Sequence, residues 1–221
     1  MDARLQAANP ADSAPTHERV YRILRDTILQ GAMAPGESLT LRGVAEQMGA
    51  SMTPAREAVR RLVAERALEM TGSGRVLVPV PDAARLDELF RARLLLEPEL
   101  AQMAVKNADT HLISRLKALD AAIDDDLSTG DAAAYVRDNS RFHTLLYKAA
   151  DAPALLALVE SVWLQTAPMM RRVYGRLGTQ GLADYHEAAL GALTRGDAPA
   201  LSAAIRADVA QGRELMRLAT T

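Results

Sequence analysis

The chain has 221 residues, of which 49% are hydrophobic and only 4% aromatic, and its formal net charge is −2. This length fits one large domain or two small ones, and a core poor in aromatic side chains favours packed helices over sheets. The absence of cysteine excludes disulfides and thiolate metal sites. Because the first residues lack the apolar run of a signal peptide and no stretch predicts a membrane span, we expect a cytoplasmic protein with no membrane partner.

The charge is unevenly distributed along the chain. Residues 17–80 carry nine arginines and seven acidic residues, a net of +2, whereas residues 81–221 carry 16 basic and 19 acidic residues, a net of −3. Such asymmetry fits a nucleic-acid-binding half joined to an acidic partner half. Residues 1–16, which contain Pro10 and Pro15, are predicted to form a flexible arm.

Three short helices are predicted in residues 17–80. The first has Thr16 as N-cap and ends near Gly31, and the second spans about residues 41–48. The third begins at Thr53-Pro54, with the threonine as N-cap and the proline at the first helical position. Its apolar residues recur at the spacing of one helix face: Ala55, Ala58, Val59, Leu62 and Val63. Two short helices joined by a tight glycine-containing turn predict a helix-turn-helix.

The third predicted helix has the features of a recognition helix. Arg56 and Arg60 lie one turn apart, away from its apolar face. Such a helix enters the major groove with its exposed N-terminal residues reaching bases and phosphates. Two β-like runs, residues 69–71 and 75–80, flank Gly72-Ser73-Gly74 and predict a hairpin, the wing. On the pattern alone, a three-helix domain whose hairpin has no role in DNA binding stays open.

From residue 81 onward the pattern predicts helices and no strand. Their approximate spans are 83–107, 110–128, 131–150, 153–174, 181–195 and 197–218, separated by Gly, Pro and Asn-Ala-Asp breaks. Six helices in this length form one compact bundle. We therefore expect a mainly α protein: a flexible arm (1–16), a winged helix-turn-helix (17–80) and an all-helical bundle of six or seven helices (81–221).

Two adjacent segments carry a family resemblance. Leu41-Arg-Gly-Val-Ala-Glu-Gln-Met-Gly49, followed by Ser51-Met-Thr-Pro-Ala-Arg-Glu-Ala-Val-Arg-Arg-Leu62, resembles the GntR family of bacterial transcription regulators, for which the Thr-Pro-x-Arg-Glu-Ala core is specific. The resemblance implies a ligand-responsive regulator, expected to be a repressor, that binds double-stranded DNA. It also implies a homodimer, because one winged helix covers too few base pairs for specificity and two recognition helices fit a pseudo-palindromic operator.

The resemblance also implies individual DNA contacts. Arg42, Arg56 and Gly74 in the wing are expected to meet DNA, and Thr53 and Arg60 to contact phosphates. The family usually has arginine immediately before the Thr-Pro pair, where this chain has Met52. The departure implies a different or weaker operator preference.

Resemblance continues through the helical remainder. Arg93-Leu-Leu-Leu-Glu97, Asn139-Ser-Arg-Phe-His143, His186-Glu-Ala-Ala-Leu190 and Leu193-Thr-Arg-Gly-Asp197 resemble the FCD ligand-binding domain of the FadR branch. The resemblance implies a divalent metal ion (zinc, nickel or manganese) bound by Asn139, His143, His186 and Asp208, and a small carboxylate effector bound by Arg93. The family commonly has aspartate in place of Asn139 and histidine in place of Asp208. Two imidazoles, one carboxylate and one amide oxygen remain a reasonable mixed ligand set.

The residues by themselves allow other roles for the candidate site and other functions for the protein. His143 could be a buried histidine without a metal, and Arg93 with Glu97 could be a simple i, i+4 ion pair. Arg171-Arg172 could be surface charge or cavity lining. Two other functions compete: a helical domain that only dimerises, and a metal-dependent hydrolase built on His143, His186 and Asp208. Against the hydrolase, no general base stands at a recognisable spacing, so we do not expect an enzyme.

Overall fold

The computed structural model describes residues 16–72, 74–177, 183 and 185–220. The predicted flexible arm, apart from Thr16, lies outside these residues, as does Ser73 of the predicted wing turn. The described part contains nine α-helices, one 3-10 helix and three two-residue strands. The predicted fold class, a winged helix-turn-helix followed by an all-helical bundle, is confirmed.

The N-terminal part combines three helices with a small sheet. In chain order its elements are α1 (Thr16–Leu29), β1 (Ser38–Leu39), α2 (Leu41–Gln47), α3 (Met52–Ala64), β2 (Glu69–Met70) and β3 (Val76–Leu77). The sheet has the order β1-β3-β2, and both pairings are antiparallel. The hairpin of β2 and β3 was predicted, whereas β1 was not, because two residues are too short to show a period-2 pattern.

The start of α3 differs from the prediction. Ser51, with extended φ −79° and ψ 169°, is the N-cap, and the helix begins at Met52, so the predicted capping role of Thr53 is wrong. Pro54 is therefore the third helical residue. It is tolerated because N–H groups of the first turn have no intrahelical partner. Consequently, the exposed Thr53 side chain lies on the helix surface one turn before Arg56.

The core of the N-terminal part is formed mainly by α1 against α3. Leu24, Ile28 and Leu62 are fully buried there, and burying each such side chain contributes about 1.5–3 kcal/mol. At the edge of this core, the Arg61 guanidinium lies 3.6 Å from the centre of the Tyr21 ring and makes a cation–π contact with it. Arg61 thus supports the fold.

The helical part follows the predicted pattern closely. Its elements are α4 (Ala83–Ala104), the 3-10 helix (Val105–Asn107), α5 (Thr110–Thr129), α6 (Ala132–Lys148), α7 (Pro153–Leu177), α8 (Tyr185–Arg195) and α9 (Ala198–Thr220). The central helix, α4, packs against α6, α7 and α9. Pro98 cannot donate to the carbonyl of Leu94 within α4, and Arg206 of α9 donates to that carbonyl instead, at 3.0 Å. No helix in the described part is both long and apolar enough to cross a bilayer.

The end of α1 is seated directly on the helical part. Gly31 has φ +62°, and a Cβ atom there would lie 2.7 Å from Val136 Cγ1 and 3.2 Å from the carbonyl oxygen of Ala167. Only glycine fits this left-handed turn at such close approach. Arg171 Nη1 donates to the carbonyls of Gly31 and Ala32, at 3.3 and 3.1 Å.

A second bond joins the same two parts. Arg25 of α1 forms an ion pair with Glu160 of α7, and both side chains are largely shielded from solvent. The sequence left Arg171-Arg172 open between surface charge and cavity lining. Arg171 lies at the junction of the two parts, whereas Arg172 is exposed.

Candidate DNA interface and effector cavity

Three of the five residues predicted to meet DNA lie on the exposed face of α3. Ala55 and Val59 of α3 are buried in the core, so Thr53, Arg56 and Arg60 face outward and are exposed. In the described part of the chain, neither Arg56 nor Arg60 belongs to an ion pair. The two guanidinium groups are therefore available to an anionic partner. Met52, in the first turn of the same helix, is 41% exposed.

Arg42 lies at the start of α2 and is also exposed. Its Nε donates to Glu46 Oε1 at 2.8 Å, one turn further along the helix. This hydrogen bond raises the pKa of Arg42, which remains a cation. Because exposed i, i+4 pairs are weak, little free energy is lost when Arg42 turns from Glu46 to a DNA group.

The wing turn places glycine at its tip. Gly74 is exposed, has φ +79°, and a Cβ atom added there would meet no neighbour within 4 Å. Backbone conformation, and not internal crowding, therefore requires glycine here. The absence of a side chain also allows close approach of the wing backbone to a phosphate group.

The helical part brings three predicted metal ligands together. His143 of α6, His186 of α8 and Asp208 of α9 each offer one atom, and these atoms lie within 4.8 Å of one another. His143 Nε2 is 3.2 Å from Asp208 Oδ2 and 3.3 Å from His186 Nε2. Both histidines are buried. The cluster could hold a metal ion.

Hydrogen bonding directs the lone pair of His143 into this cluster. The Tyr147 hydroxyl donates its single hydrogen to Glu97 Oε2 at 2.9 Å. In that arrangement the hydroxyl oxygen accepts from Nδ1 of His143, 3.1 Å away, which assigns the His143 tautomer. Nε2 of the neutral imidazole then has no hydrogen, yet it faces the carboxylate of Asp208. Two lone pairs at 3.2 Å repel, so a positive charge belongs between them, either a proton or a metal ion.

The Asp208 side chain is held in its ionised form, which suits it to bind a cation. Burial alone would raise the pKa of its carboxyl group. With the proton on Nε2 of His143, the hydrogen bond from that atom and the positive charges of His143, His186 and Arg93 outweigh that effect and lower the pKa to about 2. Asp208 therefore stays a carboxylate, which is the form that binds metal ions.

The fourth predicted ligand is Asn139. It lies one turn before His143 on α6 and lines the same cavity as Asp208. Its Oδ1 atom is buried and has no hydrogen-bond partner, which is costly for a polar atom. An amide oxygen without a donor, one turn from His143 and in the wall that Asp208 also lines, fits a site for a cation.

Arg93 belongs to a buried hydrogen-bond network beside the candidate metal site. Its Nε and Nη2 atoms donate to the carboxylate of Glu97, while Nη1 takes no part in that pair. Glu97 also accepts from Tyr147 and from Nε1 of Trp163, the latter at 2.7 Å. Burial acts to lower the pKa of Arg93, but Glu97 and Asp208 raise it overall. Arg93 therefore forms the predicted ion pair with Glu97 and is also a cation in the cavity wall.

A pocket that opens to solvent extends from this cluster between the helices, and its atom-free space of about 530 Å³ includes solvent-exposed volume. Its polar wall consists of Arg93, Asn139, Ser140 and Asp208. Its remaining wall is largely apolar: Leu29, Val136, Trp163, Thr166, Ala167, Met170, Tyr174 and Gly212. Burial raises the pKa of Tyr174 to about 12, so its hydroxyl stays protonated. The mixed lining, mainly apolar with a few charged and polar groups, is typical of a small-molecule site.

Several residues of this site escaped the sequence analysis. Tyr147 follows His143 by four residues, and that spacing on one helix face could have indicated the contact. The partnership of Glu97 with Trp163 joins α4 to α7, so no local spacing encodes it. Leu29 comes from α1, in the N-terminal part.

Fold and site together define a winged helix-turn-helix protein whose helical part encloses a small-molecule cavity. Residues 16–78 match the family model of bacterial regulatory proteins of the gntR family, and residues 88–211 match that of the FCD domain. The chain belongs to the GntR family of transcription regulators and carries an FCD domain. It is a DNA-binding transcription regulator, and its family and relatives are regulators and not enzymes, which argues against the hydrolase alternative.

Curated relatives and solved structures agree with this assignment. The HTH-type transcriptional regulator McbR of Escherichia coli is 29% identical over 76% of each chain. The Uxu operon regulator of Haemophilus influenzae is 31% identical over 67% of this chain and 59% of its own length. The solved structure of E. coli McbR/YncC superposes with a TM-score of 0.85 at 26% identity, covering 93% of this chain and 98% of that one.

Proposed function

We propose that the protein is a metal-containing repressor that responds to a small carboxylate. Two copies bind a pseudo-palindromic operator, each through Arg42, Arg56 and the wing at Gly74, with Thr53 and Arg60 on phosphates. The effector lies between the metal and Arg93. The repressor assignment follows the relatives, among them the transcriptional repressor GlaR of E. coli and the gluconate operon repressor of Bacillus subtilis.

One observation carries the metal and effector proposal. Nε2 of His143 faces the Asp208 carboxylate at 3.2 Å, an arrangement that a proton or a metal ion between the two atoms stabilises, and Asp208 also lines the cavity. His143, His186, Asp208 and Asn139 would hold the metal ion. When bound, the ion supplies a positive charge and open coordination positions for an oxygen ligand. The mixed nitrogen and oxygen donors admit zinc, nickel or manganese.

Arg93 supplies the second positive charge for the effector. Its guanidinium is buried and stays cationic, and Nη1 is not engaged by Glu97. An anion in the cavity would be attracted by both cations in a medium of low dielectric constant, where charge pairing is strong. A carboxylate fits both the guanidinium and the metal.

Effector binding can change DNA affinity only if the effector prefers one arrangement of the protein. The cavity lies beside the junction of the two parts, where α1 is held by Arg171 and Glu160. We infer that filling the cavity moves this junction and changes the spacing of the two recognition helices. A helical domain that only dimerises would leave the buried cations and the cavity without a role.

Binding of the effector carboxylate by Arg93 is tested by a pair of variants at Glu97 and Arg93. Glu97→Gln removes the anion that competes for Arg93. Carboxylates should therefore bind this variant more tightly than they bind the wild type. Arg93→Gln/Glu97→Gln removes both charges without leaving a buried carboxylate unpaired, and carboxylate binding should fall at least about tenfold below that of Glu97→Gln, because a charge-assisted hydrogen bond contributes roughly 1.5–3 kcal/mol. Calorimetric titration of metal-loaded protein with a panel of mono-, di- and hydroxycarboxylates measures both. Equal carboxylate affinity in the two variants would show that Arg93 does not bind the carboxylate.

A further inference from the structure

The cavity has a polar end and an apolar end. Trp163, at one end of its α7 wall, bonds to Glu97 and lies against His143. Met170 and Tyr174 follow two and three turns further along α7. On α6, Val136 lies two turns from His143, a distance of about 10 Å along the helix axis. The effector carboxylate belongs at the polar end, so the rest of the molecule points toward Val136 and Met170.

The apolar end is completed by the DNA-binding part of the chain. Leu29, the last residue of α1, lines the cavity and is only 9% exposed. Two residues later, Gly31 is seated against Val136 and Ala167, and Arg171 holds its carbonyl. The position of Leu29 is thus fixed by the docking of α1 on the helical part.

Leu29 also lies at the boundary between the cavity and a wider cleft. Leu29 and Ser140 are the two residues that line both spaces. The cleft runs between α1 and the helical part, and its basic side chains are Arg25, Arg115, Arg141 and Lys148. The cleft also contains Asp26 and Glu160, the latter paired with Arg25, so basic side chains remain in excess of acidic ones by two. Such an excess favours the approach of carboxylates, and an anion moving from the cleft into the cavity passes Leu29.

We propose that Leu29 is an effector-contacting residue, supplied by the DNA-binding domain, that sets the length of the apolar tail which the cavity accepts. This inference rests on the proposed function, since it assumes a carboxylate at the polar end. Short-tailed carboxylates leave Leu29 in place. A tail that reaches Leu29 makes van der Waals contact with α1 itself, so the effector touches the domain that it regulates. A tail too long for the space collides with Leu29 and is rejected.

The test uses straight-chain monocarboxylates, from acetate to decanoate, as probes of the full-length, metal-loaded protein. Trp163 is the only tryptophan and lines the cavity, so its fluorescence reports binding without a label. Wild-type affinity should rise about fourfold for each added methylene that is buried and then fall once the tail meets Leu29. Leu29→Ala removes three carbons and should move the optimum to tails roughly one to three carbons longer. Leu29→Phe should move it to shorter tails.

A matched control is Leu39→Ala, the same truncation at a half-buried leucine of β1 that does not line the cavity. It should keep the wild-type optimum. An optimum that is unchanged in Leu29→Ala and Leu29→Phe, while binding still differs between Glu97→Gln and Arg93→Gln/Glu97→Gln, overturns the role of Leu29 alone. If no probe of any length binds the wild type, the proposed carboxylate site fails and this inference fails with it. If Leu29→Ala does not fold, the shift in Leu29→Phe decides the question.

Discussion

His143→Ala and His186→Ala should each yield protein without bound metal, whereas the wild type should carry about one divalent ion per chain. Each variant removes one of three strong donors from a cluster whose atoms lie within 4.8 Å of one another. A ligand at 100 times its dissociation constant stabilises the folded state by about 2.7 kcal/mol. For a domain of this size, that loss lowers the unfolding midpoint by roughly 5–10 °C. Elemental analysis and thermal unfolding measure the two effects.

The control is His111→Ala, which removes an exposed histidine at the start of α5 and should leave metal content unchanged. A chelator adds a second check. It should lower the unfolding midpoint of wild type and of His111→Ala, and leave that of His143→Ala where it is, because nothing remains to extract. Full metal content in either cluster variant would show that the ligand set is wrong.

Arg42→Ala and Arg56→Ala should weaken specific DNA binding by at least about 30-fold. A lost base contact costs roughly 1–3 kcal/mol, and a two-fold symmetric dimer loses it twice. Arg60→Ala, at an expected phosphate contact, should instead weaken binding to all sequences alike and make affinity less dependent on salt. A site selected from a random DNA pool, titrated at several salt concentrations, separates the two behaviours.

Two variants serve as references for this experiment. Arg195→Ala removes an exposed arginine of α8 and should bind DNA like wild type. Glu46→Gln releases Arg42 from its present partner and removes a negative charge near the phosphates, so it should bind DNA more tightly. Unchanged affinity in both Arg42→Ala and Arg56→Ala would mean that DNA meets another surface.

Local patterns predicted most of the fold. The helices of residues 83–107 and 110–128 end within one residue of the observed α4, 3-10 helix and α5, because breaks such as Asn107-Ala108-Asp109 signal a helix end. The same approach misplaced the N-cap of α3 by two residues, since both Ser51 and Thr53 have capping side chains. It missed β1, which is defined only by its pairing with β3.

The site was less predictable because its contacts are non-local. The i, i+4 spacing of Arg93 and Glu97 indicates an ion pair on any helix, and only the packing of α4 against α7 makes that pair buried and adds Trp163. The three metal-ligating candidates come from separate helices and entered through family resemblance. No pattern in the sequence assigns Leu29, at the end of an N-terminal helix, to a cavity in the C-terminal part.

Regulation of DNA binding by the cavity is tested most directly by measuring DNA affinity with and without a bound carboxylate. Metal-loaded protein is titrated with its selected DNA site, first alone and then with a carboxylate at a concentration that saturates the Trp163 fluorescence signal. We expect the carboxylate to change DNA affinity about 5- to 150-fold, a coupling of roughly 1–3 kcal/mol. At one subsaturating carboxylate concentration, the change should be larger in Glu97→Gln than in Arg93→Gln/Glu97→Gln. A carboxylate that saturates the fluorescence signal yet leaves the DNA affinity of the wild type unchanged would show that this cavity does not regulate DNA binding.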